Sequence, residues 1–265
     1  MKKSHRRHKS RHSTAAGERT VLHGRVALVT GGGTGIGKAI CLALGRAGAN
    51  VMVNYRFRKT QAQKVANEIR DAGSEASVVR ADVSVTGGAE KAVEGTVQSL
   101  GRIDILVNNV GEFLHRPLLK VKPEQWSDAI DSNLNSVFYC SSYASPHMRR
   151  RKWGRIINIG VAGCDSIRAF PNTTAYNIAK TGVLILTKSL AKELAPFGVT
   201  VNVVAPGLAE TGALSRRAMK KAKKGLPMRR AATLDEIAGA VLFLVSDDAT
   251  YITGSCIPVS GGWLL

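Results

Sequence analysis

Tyr176 and Lys180 stand four positions apart in the segment TAYNIAKTG. On a helix that spacing puts both side chains on one face, one turn apart. A free phenol ionises at a pKa of about 10. A neighbouring ammonium favours the phenolate and draws that value down. Such a pair can hand a proton to a carbonyl oxygen, or take one back from an alcohol. Tyr-x-x-x-Lys pairs also arise by chance in helices, so the pair acquires meaning only from the elements that hold it.

Those elements alternate. Short apolar runs occur at 25–30 (RVALVT), 50–55, 75–82, 104–109, 155–160, 199–206 and 255–260. Runs apolar on both faces suit a parallel sheet covered by helices on each side. Between them lie segments with helical periodicity, among them 37–48, 59–73 and 174–198, the last closed by Pro196 and Gly198. The pattern predicts an α/β fold: one doubly wound, Rossmann-type domain over 20–265, with helices on both faces of a parallel sheet.

The first strand runs into VTGGGTGIGKAI. Glycines 31, 35 and 37 would let the backbone turn tightly and approach a pyrophosphate. The helix that follows would offer free N–H groups to the anion. Gly31, Gly33, Thr34, Gly35, Ile36 and Gly37 are therefore predicted cofactor contacts. At the end of the second predicted strand, where a ribose-binding acid is usual, stands Asn54, followed by Arg56 and Arg58. A guanidinium binds a 2′-phosphate bidentately and a carboxylate repels it. The expected cofactor is NADP(H), with Arg56 at the phosphate.

Charge is concentrated rather than spread. The formal net charge is +19, carried by the leader 1–19, by MRRRKWGR at 148–155 and by SRRAMKKAKKGLPMRR at 215–230. The leader has no apolar run, so neither a secretory signal nor a membrane span is expected. It is read as a disordered basic tail, and nucleic-acid contact through it is a minor expectation. Cys41, Cys140, Cys164 and Cys256 lack metal or disulfide spacing, which favours buried packing in a reducing cytoplasm.

The ordered segments TGGGTGIG (30–37), NNVG (108–111), YNIAK (176–180) and APGLAET (205–211) resemble the short-chain dehydrogenase/reductase family across nearly the whole chain, and most of all its 3-oxoacyl-(acyl carrier protein) reductases. The resemblance implies that Asp82 and Val83 meet the adenine, and that Asn109 and Gly111 lie against the ribose and central strands. It implies that Pro206, Gly207, Ala209 and Thr211 close over the nicotinamide. It also implies that Lys180 holds the nicotinamide ribose, with Tyr176 against the ring, and that Asn133 anchors a water chain to the lysine.

One family feature is missing. A serine hydroxyl is expected near the substrate carbonyl, but the position is Val161 counted from the strand and Gly163 counted back from Tyr176. Losing one such donor costs about 3–4 kcal/mol of transition-state stabilisation. Ser166 could swing in as a replacement, the loop backbone or residues 172–174 could donate, or the substrate could be activated enough to do without.

The resemblance thus points to an NADPH-dependent carbonyl reductase acting on a 3-oxoacyl thioester through Tyr176, Lys180 and Asn133, with Ser166 as candidate donor. Alternatives are a weakly active nucleotide-binding or regulatory protein of the same fold, and a reductase of a non-acyl ketone or alcohol. The basic segment 215–230 would attract an acidic acyl carrier protein or coenzyme A phosphates. A homodimer or homotetramer is implied, with no metal.

Overall fold

A computed structural model describes residues 22–212 and 216–264. The predicted tail, 1–19, lies outside them. Seven parallel strands form one sheet in the order β3-β2-β1-β4-β5-β6-β7. They are β1 (Val26–Val29), β2 (Asn50–Tyr55), β3 (Ala76–Arg80), β4 (Ile105–Asn108), β5 (Gly154–Ile159), β6 (Val199–Pro206) and β7 (Cys256–Val259). The predicted runs locate all seven, each agreeing with its strand to within two residues at either end.

The helices lie on both faces because both faces are apolar. Along β1, Ala27 and Val29 join one core cluster while Leu28 joins the other. β2 repeats this with Val51 and Val53 against Met52, and β4 with Ile105 and Val107 against Leu106. Side chains alternate between faces along a strand, so a continuous apolar run fills two cores at once. The first core is completed by α1 (Gly35–Arg46), α2 (Lys59–Asp71) and α8 (Leu234–Val245). The second is completed by α3 (Thr86–Leu100) and α5 (Ser136–Arg151). A third cluster sits under α6 (Thr174–Leu194). Each fully buried side chain such as Ile40 or Leu44 contributes about 1.5–3 kcal/mol.

Strand order reverses between β1 and β4, which are hydrogen-bonded neighbours. In open α/β sheets the crevice at that reversal, outside the strands' C-terminal ends, is where ligands bind. Two further helices, α4 (Pro123–Ile130) and α7 (Arg216–Lys224), flank this end. Between α4 and α5 the chain makes one wide π-turn, Asp131–Asn135. None of the helices among the described residues is long and apolar enough to cross a membrane.

Candidate active site

At the reversal lies a cavity of about 490 Å³. Its floor is the glycine turn. Gly31 has φ of +62°, a left-handed conformation that glycine adopts without strain. A methyl on Gly37 would overlap the Gly31 carbonyl and lie 2.6 Å from Asn109 Nδ2, so only glycine lets α1 start this close to β1. Asn109 fixes the turn from the β4 side: its Nδ2 donates to Thr30 O at 2.9 Å, and Thr30 Oγ1 accepts from the Asn109 and Val110 amides.

The N-terminus of α1 is left open. Thr34 precedes it in extended conformation, makes no side-chain cap bond, and no acid stands in the first turn. The N-terminus of α8 is closed instead. Thr233 and Glu236 form a reciprocal capping box, Asp235 adds a second acid, and Glu236 also pairs with Arg230 at 2.6 Å. An uncapped helix start over a glycine cradle suits a phosphate-bearing group.

Most predicted cofactor contacts do line this cavity: Gly31, Gly33, Thr34, Ile36, Gly37, Arg56, Asp82, Val83, Asn109, Gly111 and Thr211. Gly35, with φ of +54°, shapes the turn without lining the cavity. Pro206, Gly207 and Ala209 do not line it either. A methyl on Gly207 would lie 2.9 Å from Ser260 Cα, so that glycine serves the approach of β6 to the C-terminal turn. Ala209 bridges to Ala232.

Two residues have partners within the chain that the sequence does not reveal. Arg56 Nε pairs with Asp82 Oδ2 at 3.0 Å, and Asp82 Oδ1 accepts from Ser84 N and Oγ. Asn54 is buried; its Oδ1 accepts from Gly31 N at 3.2 Å and its Nδ2 donates to Ala81 O at 3.0 Å. It therefore braces the glycine turn from β2. The exposed guanidinium of Arg56 and neighbouring Arg58 supply the positive charge at that end.

Beyond the glycine turn, Tyr176 and Lys180 share one face of α6 as their spacing predicts. Lys180 is buried and its Nζ donates to Ile159 O, the last carbonyl of β5, at 2.7 Å. The ammonium lies 5.8 Å from the centre of the Tyr176 ring. Asn133 sits in the π-turn, where its Nδ2 donates to Glu112 O at 2.9 Å and Ala129 O at 3.0 Å. Its Oδ1 is buried with no hydrogen-bond partner among the described residues. A methyl on Gly111 would overlap that Oδ1 and lie 3.2 Å from Lys180 Nζ, so the amide and the amine flank one glycine. Phe113 packs edge-on against the Tyr176 ring at 5.1 Å.

The electrostatics correct one expectation. Burial pushes Tyr176 up to about 12, and a negative charge on nearby Cys164 adds to that. Burial draws Lys180 down to about 8, opposed by Cys164. The expected lowering of the phenol is absent because the Lys180 ammonium turns toward Ile159 O and desolvation dominates. The result is a proton-loaded phenol beside an amine that is still mostly protonated at neutral pH.

Ser166 is a second correction. It lines another cavity, of about 1110 Å³, with Ile167, Phe170, Ile178, Thr181 and Ile185. Those α6 residues are on the face away from Tyr176 and Lys180. The two countings for the family serine also separate: Gly163 has φ of +77° and a methyl there would lie 3.2 Å from Leu264 Cβ, so a serine at 163 would be strained. Val161 packs against the apolar cluster beneath α6.

The architecture and this tyrosine–lysine face define the class. The chain belongs to the short-chain dehydrogenase/reductase family. The family model described as Enoyl-(Acyl carrier protein) reductase matches residues 31–264. A 3-oxoacyl-(acyl-carrier-protein) reductase of Synechocystis sp. is 42% identical over 248 residues, covering 93% of this chain and 99% of that protein. One from Staphylococcus epidermidis is 40% identical over 240 residues, covering 89% and 97%. Among solved structures, a blue fluorescent protein from a metagenomic library in complex with NADPH is 33% identical, with a TM-score of 0.86 and coverage of 92% and 99%. Acetoin dehydrogenase YohF of Salmonella typhimurium is also 33% identical, with a TM-score of 0.83 and coverage of 91% and 97%.

Proposed function

We propose that this protein is an NADPH-dependent carbonyl reductase that converts the ketone of a 3-oxoacyl thioester to the 3-hydroxy product. The observation that carries the reading is the Tyr176 phenol one turn from the buried Lys180 amine, beyond the glycine cradle. The cradle fits a dinucleotide: an added Cβ at Gly37 has no room, and the α1 N-terminus is unclaimed. Gly31 to Gly37 would hold the pyrophosphate, Asp82 and Val83 the adenine, and Asn109 and Gly111 the ribose wall. Arg56, with Arg58 beside it, would trade part of its pairing with Asp82 for a 2′-phosphate. NADPH, when bound, supplies the hydride.

Tyr176 then donates its proton to the carbonyl oxygen as charge develops there. Lys180 steadies the resulting phenolate by its charge, and Ile159 O fixes where that charge sits. Asn133 Oδ1, without a partner among the described residues, would hold a water that returns protons toward Lys180. No side-chain hydroxyl stands in the family's serine position, so Tyr176 carries the oxyanion with backbone help. A 3-oxo thioester, whose ketone is electrophilic, tolerates that loss better than an unactivated ketone.

The relatives' names and the family description agree on acyl-carrier thioesters and differ on which bond is reduced. The curated relatives, matched over nine-tenths of the chain, favour the 3-oxo group. The basic face of α7, with exposed Arg217, Lys220, Lys221 and Lys224, would receive an acidic carrier.

The test is NADPH oxidation with acetoacetyl thioester, crotonyl thioester and acetoin. Turnover is expected with the first, with NADPH preferred to NADH. Turnover only on the crotonyl thioester, or none on any thioester, overturns the reading.

A further inference from the structure

Two of the four cysteines meet. Cys164 Sγ, in the loop after β5, lies 3.9 Å from Cys256 Sγ, the first residue of β7. Cys41 and Cys140 are buried in separate apolar clusters, and burial raises both thiols, Cys140 to about 12. Those two are inert packing. The pair is placed differently.

The local backbone builds this approach. Gly160 follows β5, and a methyl there would lie 2.7 Å from Val203 Cγ1 and 3.4 Å from Cys164 Sγ. Its missing side chain lets the Cys164 sulfur settle onto the sheet. Val203 is also the β6 residue in register with Cys256. The loop is folded down by Ala162 N donating to Pro206 O at 2.9 Å and by the turn from Cys164 N to Val161 O at 3.0 Å. Cys164 is 2% exposed, whereas Cys256 is only half-buried and gives a small oxidant a route in.

We propose that Cys164 and Cys256 are a reversible dithiol, oxidised by hydrogen peroxide to a disulfide that ties the β5–α6 loop to β7. The Cys164 thiolate attacks one peroxide oxygen, the O–O bond breaks, and the departing hydroxide takes a proton as water, leaving a sulfenic acid. The Cys256 thiol attacks that sulfur, the S–O bond breaks, and a second water leaves with the remaining proton. The two sulfurs lose two electrons in all, and peroxide gains them. A thiol reductant reverses the bond by exchange.

Two features favour Cys164 as the attacking sulfur. The contact with Cys256 Sγ draws the Cys164 thiol down to about 7, and the Lys180 ammonium acts in the same direction, against burial and Asp165. Bond formation needs the sulfurs to close to about 2.05 Å. The loop 161–173 contains no helix or strand to resist that movement. The pair exists whatever reaction Tyr176 performs.

The test uses the full chain. After peroxide treatment and alkylation under denaturing conditions, peptide mapping should show the Cys164 peptide joined to the Cys256 peptide, with Cys41 and Cys140 alkylated. Dithiothreitol should release the two peptides. Trypsin cleavage after exposed Arg168 should slow about threefold or more on oxidation, as expected for a tethered loop. In Cys256→Ser neither the joined peptide nor the slowing should appear. Sulfinic or sulfonic acid at Cys164 without the joined peptide, or joining to a different cysteine, overturns the pair. A joined peptide with unchanged cleavage at Arg168 overturns the tether.

Discussion

The two faces of α6 carry residues of opposite character. On one, Tyr176, Lys180, Val183, Leu184 and Thr187 are turned inward, and Lys180 is fully enclosed. On the other, Ile178, Thr181 and Ile185 look into a wide apolar cavity that also receives Ser166. One helix therefore separates a proton-handling compartment from an apolar one. The proposed chemistry belongs to the face where polar groups are buried and left partly unsatisfied. The apolar face is roomier, yet it gathers no such set of ionisable side chains.

The sharpest way to break this contrast is Tyr176→Phe. Turnover should fall about 10³-fold with cofactor affinity preserved, because general acid catalysis contributes about 10²–10⁴. Retained turnover would move the chemistry off this face. Gly111→Ala comes next. Its methyl would displace Asn133 Oδ1 and crowd Lys180 Nζ, so kcat should drop about a hundredfold while circular dichroism stays native. An unaffected kcat would show that the asparagine and lysine act separately.

The pH profile sharpens the same contrast more finely. Tyr176 holds its proton up to about 12, so it does not limit reduction in the neutral range. Lys180, drawn down to about 8, keeps its charge below that pH and loses it above. Reduction kcat should therefore be level at neutral pH and decline above about 8. A profile that stays level well beyond 8 would mean that the lysine charge is not used. The smallest effect belongs to the other face. Ser166→Ala should change kcat by less than about twofold. A larger loss would return the missing donor to that serine.

Much of this was legible from residue types. The apolar runs give the sheet because a two-faced core leaves no polar alternation in its strands. The shared face of Tyr176 and Lys180 follows from helix spacing, while Asn133 was reached only through the family resemblance. Ser166 was misjudged because sequence neighbourhood says which loop a residue occupies, not which side of a helix the loop passes. The bracing role of Asn54 is likewise invisible in the sequence. It sits where a ribose-binding acid is usual, but its amide turns inward to Gly31 and Ala81. The convergence of Lys180 and Asn133 on Gly111 involves three separate segments, and no local pattern encodes it. The meeting of Cys164 with Cys256 depends on β7 reaching β6 in register, ninety-two residues along the chain from the first thiol.

The wide turn that holds Asn133 has a further meaning for repeated cycles. In the proposed mechanism, each reduction takes one hydrogen ion from the Tyr176 hydroxyl, which must be reloaded before the next. On that proposal the unpartnered Asn133 carbonyl would serve as a refuelling port, and occupancy by solvent there would set how soon the next cycle can begin. A protein dried at that one spot would fire once and stall.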